Sequence, residues 1–307
     1  MAPEARTAGA VRAFGDGTRA AGGDAMSWLT FRHQAMATHF EIAVAAQPEA
    51  HARQAAAAAF REVDRLEGEF SRFVASSDIA RCQGLEEGKT VMIGEDAMAC
   101  LVVAADLAIA TERAFDPAYA AVRASDWDAA LPAFQLDPVN HTLTSRAAEL
   151  RLDLGAIGKG FALDAAADVL REWDVTAACL VAGGSTVLAL EPPPGERGWR
   201  VGLGEAAAVR EIWIRQQALS ASGTAVQGQH LIDPRTGRPA RRQARAWALA
   251  PGAAQSDGLS TAFFVWSDPE VAAFCARQPE IGGALAGAEG GLRALGALAP
   301  LLRAEAG

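Results

Sequence analysis

Apolar residues recur along the chain with two different periods, and the changes of period predict its elements. In residues 31–46 the alternation through Thr38, His39, Phe40, Glu41, Ile42, Ala43 and Val44 predicts a strand with Met36, Ala37 and Thr38 at its start. After Pro48 the period lengthens: Ala56, Phe60, Val63 and Leu66 recur at helical spacing, with Arg and Glu on the other side. Residues 70–81 read as a loop holding a Ser- or Asp-capped helical turn. A second helix, 96–113, is apolar nearly all round through Met98, Leu101, Val102, Ala105, Leu107 and Ile109, which predicts an interior position.

Residues 127–151 read as irregular structure with short strands around Leu136, feeding a strand that ends at Leu154. The glycines at 155, 158 and 160 then punctuate a turn into an amphipathic helix running to about Trp173. Residues 178–190 read as two buried strands separated by Gly183 and Gly184, with further strands at 199–203 and 211–214. A polar entry at 253–257 opens an apolar helix that reaches Trp266. Strands and helices interleave without a long linker after residue 30, which predicts one α+β domain with mixed sheet segments and packed helices, residues 28–307. Residues 1–27, rich in Ala, Gly and Arg, are expected to form a disordered tail, and Met26 is an alternative start to Met1.

Half of the 307 residues are hydrophobic, enough for a substantial core, and no stretch has the roughly 18 consecutive apolar residues of a membrane span. A net charge of -9 argues against a nucleic-acid or anionic-membrane binder, while leaving room for a local positive pocket around one phosphorylated ligand. Cys82, Cys100, Cys179 and Cys275 are far apart in sequence and form neither a C-x-x-C pair nor a disulfide pattern, so they read as packed thiols. The N-terminus lacks the apolar run of a signal peptide, so a cytoplasmic location is expected, or a periplasmic one if the start is misassigned.

Three stretches are polar in ways that packing alone does not require. The run Leu152-Asp153-Leu154-Gly155-Ala156-Ile157-Gly158-Lys159-Gly160 places glycines, a lysine and unpaired amides at a helix start, where the helix dipole favours an anion such as phosphate. It matches neither the P-loop nor the dinucleotide fingerprint, and a tight packing turn accounts for it equally well. In His230-Leu231-Ile232-Asp233-Pro234-Arg235-Thr236-Gly237, His230 and Asp233 suit turn-building as well as chemistry. Asp257 and Thr261, spaced i, i+4, share a helix face and could present a carboxylate and a hydroxyl to one hard cation; a carboxylate serving the helix dipole is the plainer alternative.

Together with Met36-Ala37-Thr38, Phe73, Ser77-Asp78-Ile79-Ala80-Arg81, Ala114-Phe115-Asp116-Pro117, Gly183-Gly184, Ser222-Gly223 and Ser256-Asp257-Gly258-Leu259-Ser260-Thr261, these stretches make the chain resemble the ApbE-type flavin transferases from about Met36 onward. The resemblance implies an enzyme that takes FAD and Mg2+ and moves FMN onto a Thr or Ser side chain of an acceptor flavoprotein as a phosphoester, releasing AMP. It implies FAD contacts at Met36, Phe73, Ala114, Phe115, Asp116, Asp153, Lys159 and Ile232. It further implies a metal held by the Ala156 carbonyl, Asp257 and Thr261, and a histidine, His230, beside the reacting pyrophosphate.

The chemistry agrees with those positions, since pyrophosphate cleavage needs a divalent cation, positive groups around the leaving phosphate and a proton acceptor. Asp257 and Thr261 suit the first need, Lys159 and the amides after Gly155 the second, and His230 or Asp257 the third. Only residues 224–229 separate Ser222-Gly223 from His230, a shorter connection than the family pattern has, and Ser185, Ala156 and Ser260 replace commoner residues. Two alternatives keep the same site: an FAD pyrophosphatase that uses water as nucleophile, and an FAD-binding paralogue without turnover.

Overall fold

The computed structural model describes residues 11–13, 28–122, 131–204, 209–223, 231–240, 242–287 and 291–304. In chain order the first elements are β1 (Val11–Ala13), β2 (Trp28–Ala35), β3 (Thr38–Ala45), α1 (Glu49–Phe70), α2 (Asp78–Cys82), β4 (Thr90–Met92) and α3 (Glu95–Ala110). Then come β5 (Phe134–Asp137), β6 (Thr142–Ser145), α4 (Gly158–Glu172), β7 (Ala178–Ala182), β8 (Thr186–Ala189), β9 (Trp199–Leu203), β10 (Arg210–Ile214) and β11 (Gln217–Gly223). The chain ends with β12 (Ile232–Asp233), β13 (Arg238–Pro239), β14 (Arg245–Ala250), α5 (Ala253–Val265), α6 (Asp268–Arg277), β15 (Gly282–Ala286), β16 (Leu292–Gly296) and α7 (Leu298–Ala304).

Among the described residues an eight-stranded antiparallel sheet in the order β16-β15-β14-β11-β8-β7-β3-β2 forms the centre. Its two faces differ because strand alternation sorts residues by size. In β14, Ala246, Ala248 and Ala250 look toward the helices, while Trp247 and Leu249 join the core on the far face. The small residues let α5 settle closely on the sheet, and α4 and α1 pack beside it. The far face is covered by the sheet β1-β9-β10 and by α7. The result is the α+β domain expected from the interleaved pattern.

The strand expected from residues 36–38 onward is β3; its partner β2, not foreseen from the sequence, joins it in a hairpin with Met36 and Ala37 as the turn at φ 50° and 56°. Three expectations change. The strand expected to end at Leu154 is not formed. There Leu152 pairs through both its N–H and its carbonyl with the Gln83 side chain, at 3.1 and 2.9 Å, and Asp153 N–H donates to the Pro117 carbonyl at 2.8 Å, so loop partners replace a ladder. Helix α3 buries one side only, leaving Ile109 exposed. Val11–Ala13, inside the expected tail, pairs antiparallel with β9, and the rest of residues 1–27 lies outside the described residues.

Candidate functional site

The site is built where the first turn of α4 meets α5. Helix α5 is buried nearly all round, with Asp257 only 4% exposed. Asp164, on α4, accepts the Ala253 and Ala254 N–H groups at 2.8 Å each, which caps the start of α5 across the helix pair. Ser256 Oγ donates to the Ala248 carbonyl at 2.8 Å and ties α5 to β14. Gly160 allows the close approach: a Cβ there would lie 2.2 Å from the Ala253 carbonyl oxygen.

That approach decides what the α4 amides meet. The Gly160 N–H donates to Asp257 Oδ2 at 3.3 Å, and Lys159 Nζ reaches the same oxygen at 3.4 Å while donating to the Gly155 carbonyl at 2.8 Å. The anion expected at this helix start is therefore, within the protein itself, the Asp257 carboxylate. Thr186 Oγ1 lies 3.4 Å from Asp257 Oδ1. One helical turn further along α5, Thr261 Oγ1 and Ser260 Oγ lie 3.1 and 2.8 Å from Ser222 Oγ on β11.

A rim surrounds this centre. Asp153 accepts the Gly155 N–H through Oδ1 at 2.8 Å and pairs with Arg72 through Oδ2 at 3.0 Å. Arg72 also lies 5.0 Å from the centre of the Phe73 ring, which is 85% exposed. Tyr119 bonds to Asp153, and burial together with that carboxylate raises the pKa of its phenol. Asp116 is gripped by Arg113 and accepts the Ala118 N–H at 2.8 Å.

Of the residues singled out from the sequence, Asp257, Thr261, Lys159, Asp153 and the turn carrying Ala156 are thus brought together, with Asp116 adjoining through Pro117. Ala114 and Phe115 are buried in the core, and Phe115 would lie 3.7 Å from a Cβ at Gly258. Met36 lies in the β2–β3 turn and Ile232 in the short β12–β13 hairpin, 40% exposed. His230 lies outside the described residues. Sequence reasoning missed Arg72, Tyr119, Asp164 and Thr186. Only Thr186, a polar residue opening an apolar strand, left a visible signal.

The donors around Asp257 fit a hard cation of the Mg2+ kind. Among the described residues no group of three His, Cys, Asp or Glu side chains is placed to hold a metal ion. One buried carboxylate and a hydroxyl four residues on, sharing its helix face, are hard oxygen donors of the kind Mg2+ takes when substrate phosphates and water complete its shell. The contacts to Asp257 at 3.3–3.4 Å are also longer than charge-assisted hydrogen bonds of about 2.7–2.9 Å, so its oxygens retain capacity for a ligand.

Comparison with known proteins gives the family and the fold. The FAD:protein FMN transferase of Rhodobacter capsulatus is 34% identical over 147 residues, a match that covers 43% of this chain and 28% of that protein. The chain therefore spans under a third of the length of that curated relative. Among solved structures, the flavin transferase ApbE of Vibrio cholerae superposes with a TM-score of 0.76 at 20% identity, covering 90% of this chain and 100% of the other. The ApbE protein of Thermotoga maritima superposes with a TM-score of 0.77 at 23% identity, with the same coverage, and both likenesses show a shared fold. Among the described residues no helix is long and apolar enough to cross a membrane. The sequence pattern of the ApbE family matches residues 36–285, from the β2–β3 turn through β15, and with the whole candidate site inside that span the chain belongs to the ApbE family.

Proposed function

We propose that the protein is a Mg2+-dependent FAD:protein FMN transferase that attaches FMN through a phosphoester to a Thr or Ser of an acceptor flavoprotein and releases AMP. The observation that carries this reading is the convergence of Asp257, Thr261 and Lys159 on the α4–α5 junction inside an ApbE-family chain. Asp257, Thr261 and the Ala156 carbonyl would hold the cation, which when bound neutralises charge on the pyrophosphate. Lys159 and the rim residues Phe73, Asp116 and Asp153 bind FAD, with Met36, Ala114, Phe115 and Ile232 completing its surroundings.

In the reaction the acceptor hydroxyl oxygen forms a bond to the phosphorus of the FMN half while the bond from that phosphorus to the bridging oxygen breaks. The bridging oxygen leaves with AMP, and the hydroxyl proton passes to His230 or to Asp257. Lys159 steadies the charge gathering on the leaving phosphate.

The test is to incubate the protein with FAD, Mg2+ and a flavoprotein domain carrying an acceptor threonine, then follow AMP and the mass of the acceptor. Transfer gives AMP together with an acceptor heavier by FMN. AMP and free FMN with an unmodified acceptor indicate a pyrophosphatase, and bound FAD without AMP indicates a paralogue without turnover. Asp257→Ala should abolish AMP release; an unchanged rate at saturating Mg2+ and FAD would remove Asp257 from the metal site.

A further inference from the structure

Strand β8 is buried along its whole length, yet it opens with a threonine in a run otherwise made of Val187, Leu188 and Ala189. Thr186 is fully buried, and its register partner on β11 is Ser220, also fully buried. The Thr186 side chain faces α5 and places Oγ1 3.4 Å from Asp257 Oδ1, on the opposite side of the carboxylate from Lys159 and Gly160. Ser220 Oγ, by contrast, has no hydrogen-bond partner. Burying a hydroxyl costs free energy unless a partner compensates it, so a buried threonine aimed at the carboxylate in the centre of the site calls for an explanation that Val at this position would not.

We propose that Thr186 is a positioning residue for Asp257. By donating to Oδ1, its hydroxyl fixes the rotation of the carboxylate, so that the plane set by Oδ2 with Gly160 and Lys159 on one side and Oδ1 with Thr186 on the other presents the remaining lone pairs to the cation. Groups that orient a metal-binding carboxylate in this way typically change metal affinity by about 10- to 100-fold when removed. The inference rests on the reading of Asp257 as a metal residue. It adds a hydroxyl contributed by β8, the strand that follows the glycine pair.

The experiment titrates Mn2+ into the folded protein in the presence of FAD, following free Mn2+ by electron paramagnetic resonance, for wild type, Thr186→Val, Thr186→Ser and Ser220→Ala. Thr186→Val keeps the β-branched shape and should weaken Mn2+ binding about tenfold, while Thr186→Ser restores it to within about twofold. Ser220→Ala, which removes a hydroxyl without a partner, should bind as wild type. In the AMP-release assay the Mg2+ concentration for half-maximal rate should rise with Thr186→Val by the same factor, with the rate at saturating Mg2+ within about twofold of wild type. Thermal melting establishes that each variant is folded, and Thr186→Ala, with the same expectations, replaces Thr186→Val if the latter melts below assay temperature. Wild-type Mn2+ affinity in the variant lacking the hydroxyl, failure of Thr186→Ser to restore binding, or an equal loss in Ser220→Ala overturns the inference. A wild-type protein that binds no Mn2+ overturns the metal reading along with it, so the two failures are distinguishable.

Discussion

Replacing Gly160 by alanine tests whether the site depends on how closely α4 approaches α5. A Cβ at this position would lie 2.2 Å from the Ala253 carbonyl oxygen, 2.5 Å from its carbon and 2.7 Å from Ala254 N, all of them backbone atoms with no rotamer to yield. Ordinary contact needs about 3.4 Å, so the helices must separate by roughly 1 Å. Alanine adds at most about 1 kcal/mol of helix propensity, whereas overpacking against fixed backbone costs about 3 kcal/mol, leaving a net loss of ~2 kcal/mol. At 2–4 °C per kcal/mol for a large domain, the melting temperature should fall by roughly 4–8 °C. The alanine still carries the N–H that faces Asp257, so any loss of FAD-dependent AMP release comes from the separation itself; a 1 Å misplacement can cost on the order of 100-fold in rate. Gly68, exposed near the end of α1 with nothing within 4 Å of an added Cβ, supplies the control: Gly68→Ala should stabilise by about 0.5–1 kcal/mol. Differential scanning calorimetry and the AMP assay on both variants decide the matter. A Gly160→Ala protein that melts at or above wild type and turns over normally would refute the reasoning.

Further outcomes follow from groups whose ionisation the fold shifts. Burial raises the pKa of Asp164 above its ordinary 3.8 even though it accepts two amides, so between those two values the folded state keeps a proton that the unfolded chain has lost. Stability should therefore fall as pH rises through that window in wild type and not in Asp164→Asn, as read by urea unfolding across pH; parallel curves would count against it. All four cysteines are buried, which pushes Cys82 up to about 12, Cys275 up to about 11 and both Cys100 and Cys179 upward. Alkylation at mildly alkaline pH should accordingly label none in the native protein and all four in denaturant, with mass spectrometry as the readout. Tyr119 is the only tyrosine, and its phenol is raised by burial and by Asp153; Asp153→Asn should lower its titration point, measured by near-ultraviolet absorbance. An unchanged midpoint would detach Tyr119 from Asp153.

How much of this was legible in the sequence depended on whether the deciding interaction was local. Helix α1, the strands β7 and β8 around their glycine pair, and α5 with its i, i+4 Asp257 and Thr261 could be read because periodicity and turn chemistry are written in consecutive residues. The β2–β3 hairpin was hidden because Met36 and Ala37 adopt positive φ without the Gly or Asn that usually announces such a turn; pairing along eight residues of each strand holds them there. Residues 151–154 have the apolar content of a strand, but their polar groups are met by Gln83 and Pro117, which no local pattern reveals. In each case a tertiary partner overrode the local preference.

The candidate site divides in the same way, and the division explains what its glycine turn does. A helix start rich in glycine favours any anion, so the sequence could nominate residues 155–160 for a phosphate without saying which anion they face. Folding answers through two residues whose partners no local reading supplies: Gly160, which lets the backbone of α5 come within contact, and Asp164, one turn further along α4, which caps α5 and fixes its start. With both ends of that contact set, Asp257 lies against the Gly160 amide at the start of α4. Its carboxylate meets Gly160 and Lys159 on one side and Thr186 on the other. A buried carboxylate held only by contacts of 3.3–3.4 Å is stable enough to persist and under-satisfied enough to take a cation. Within the protein the turn therefore meets a carboxylate: the Gly160 N–H and Lys159 Nζ both face Asp257 Oδ2.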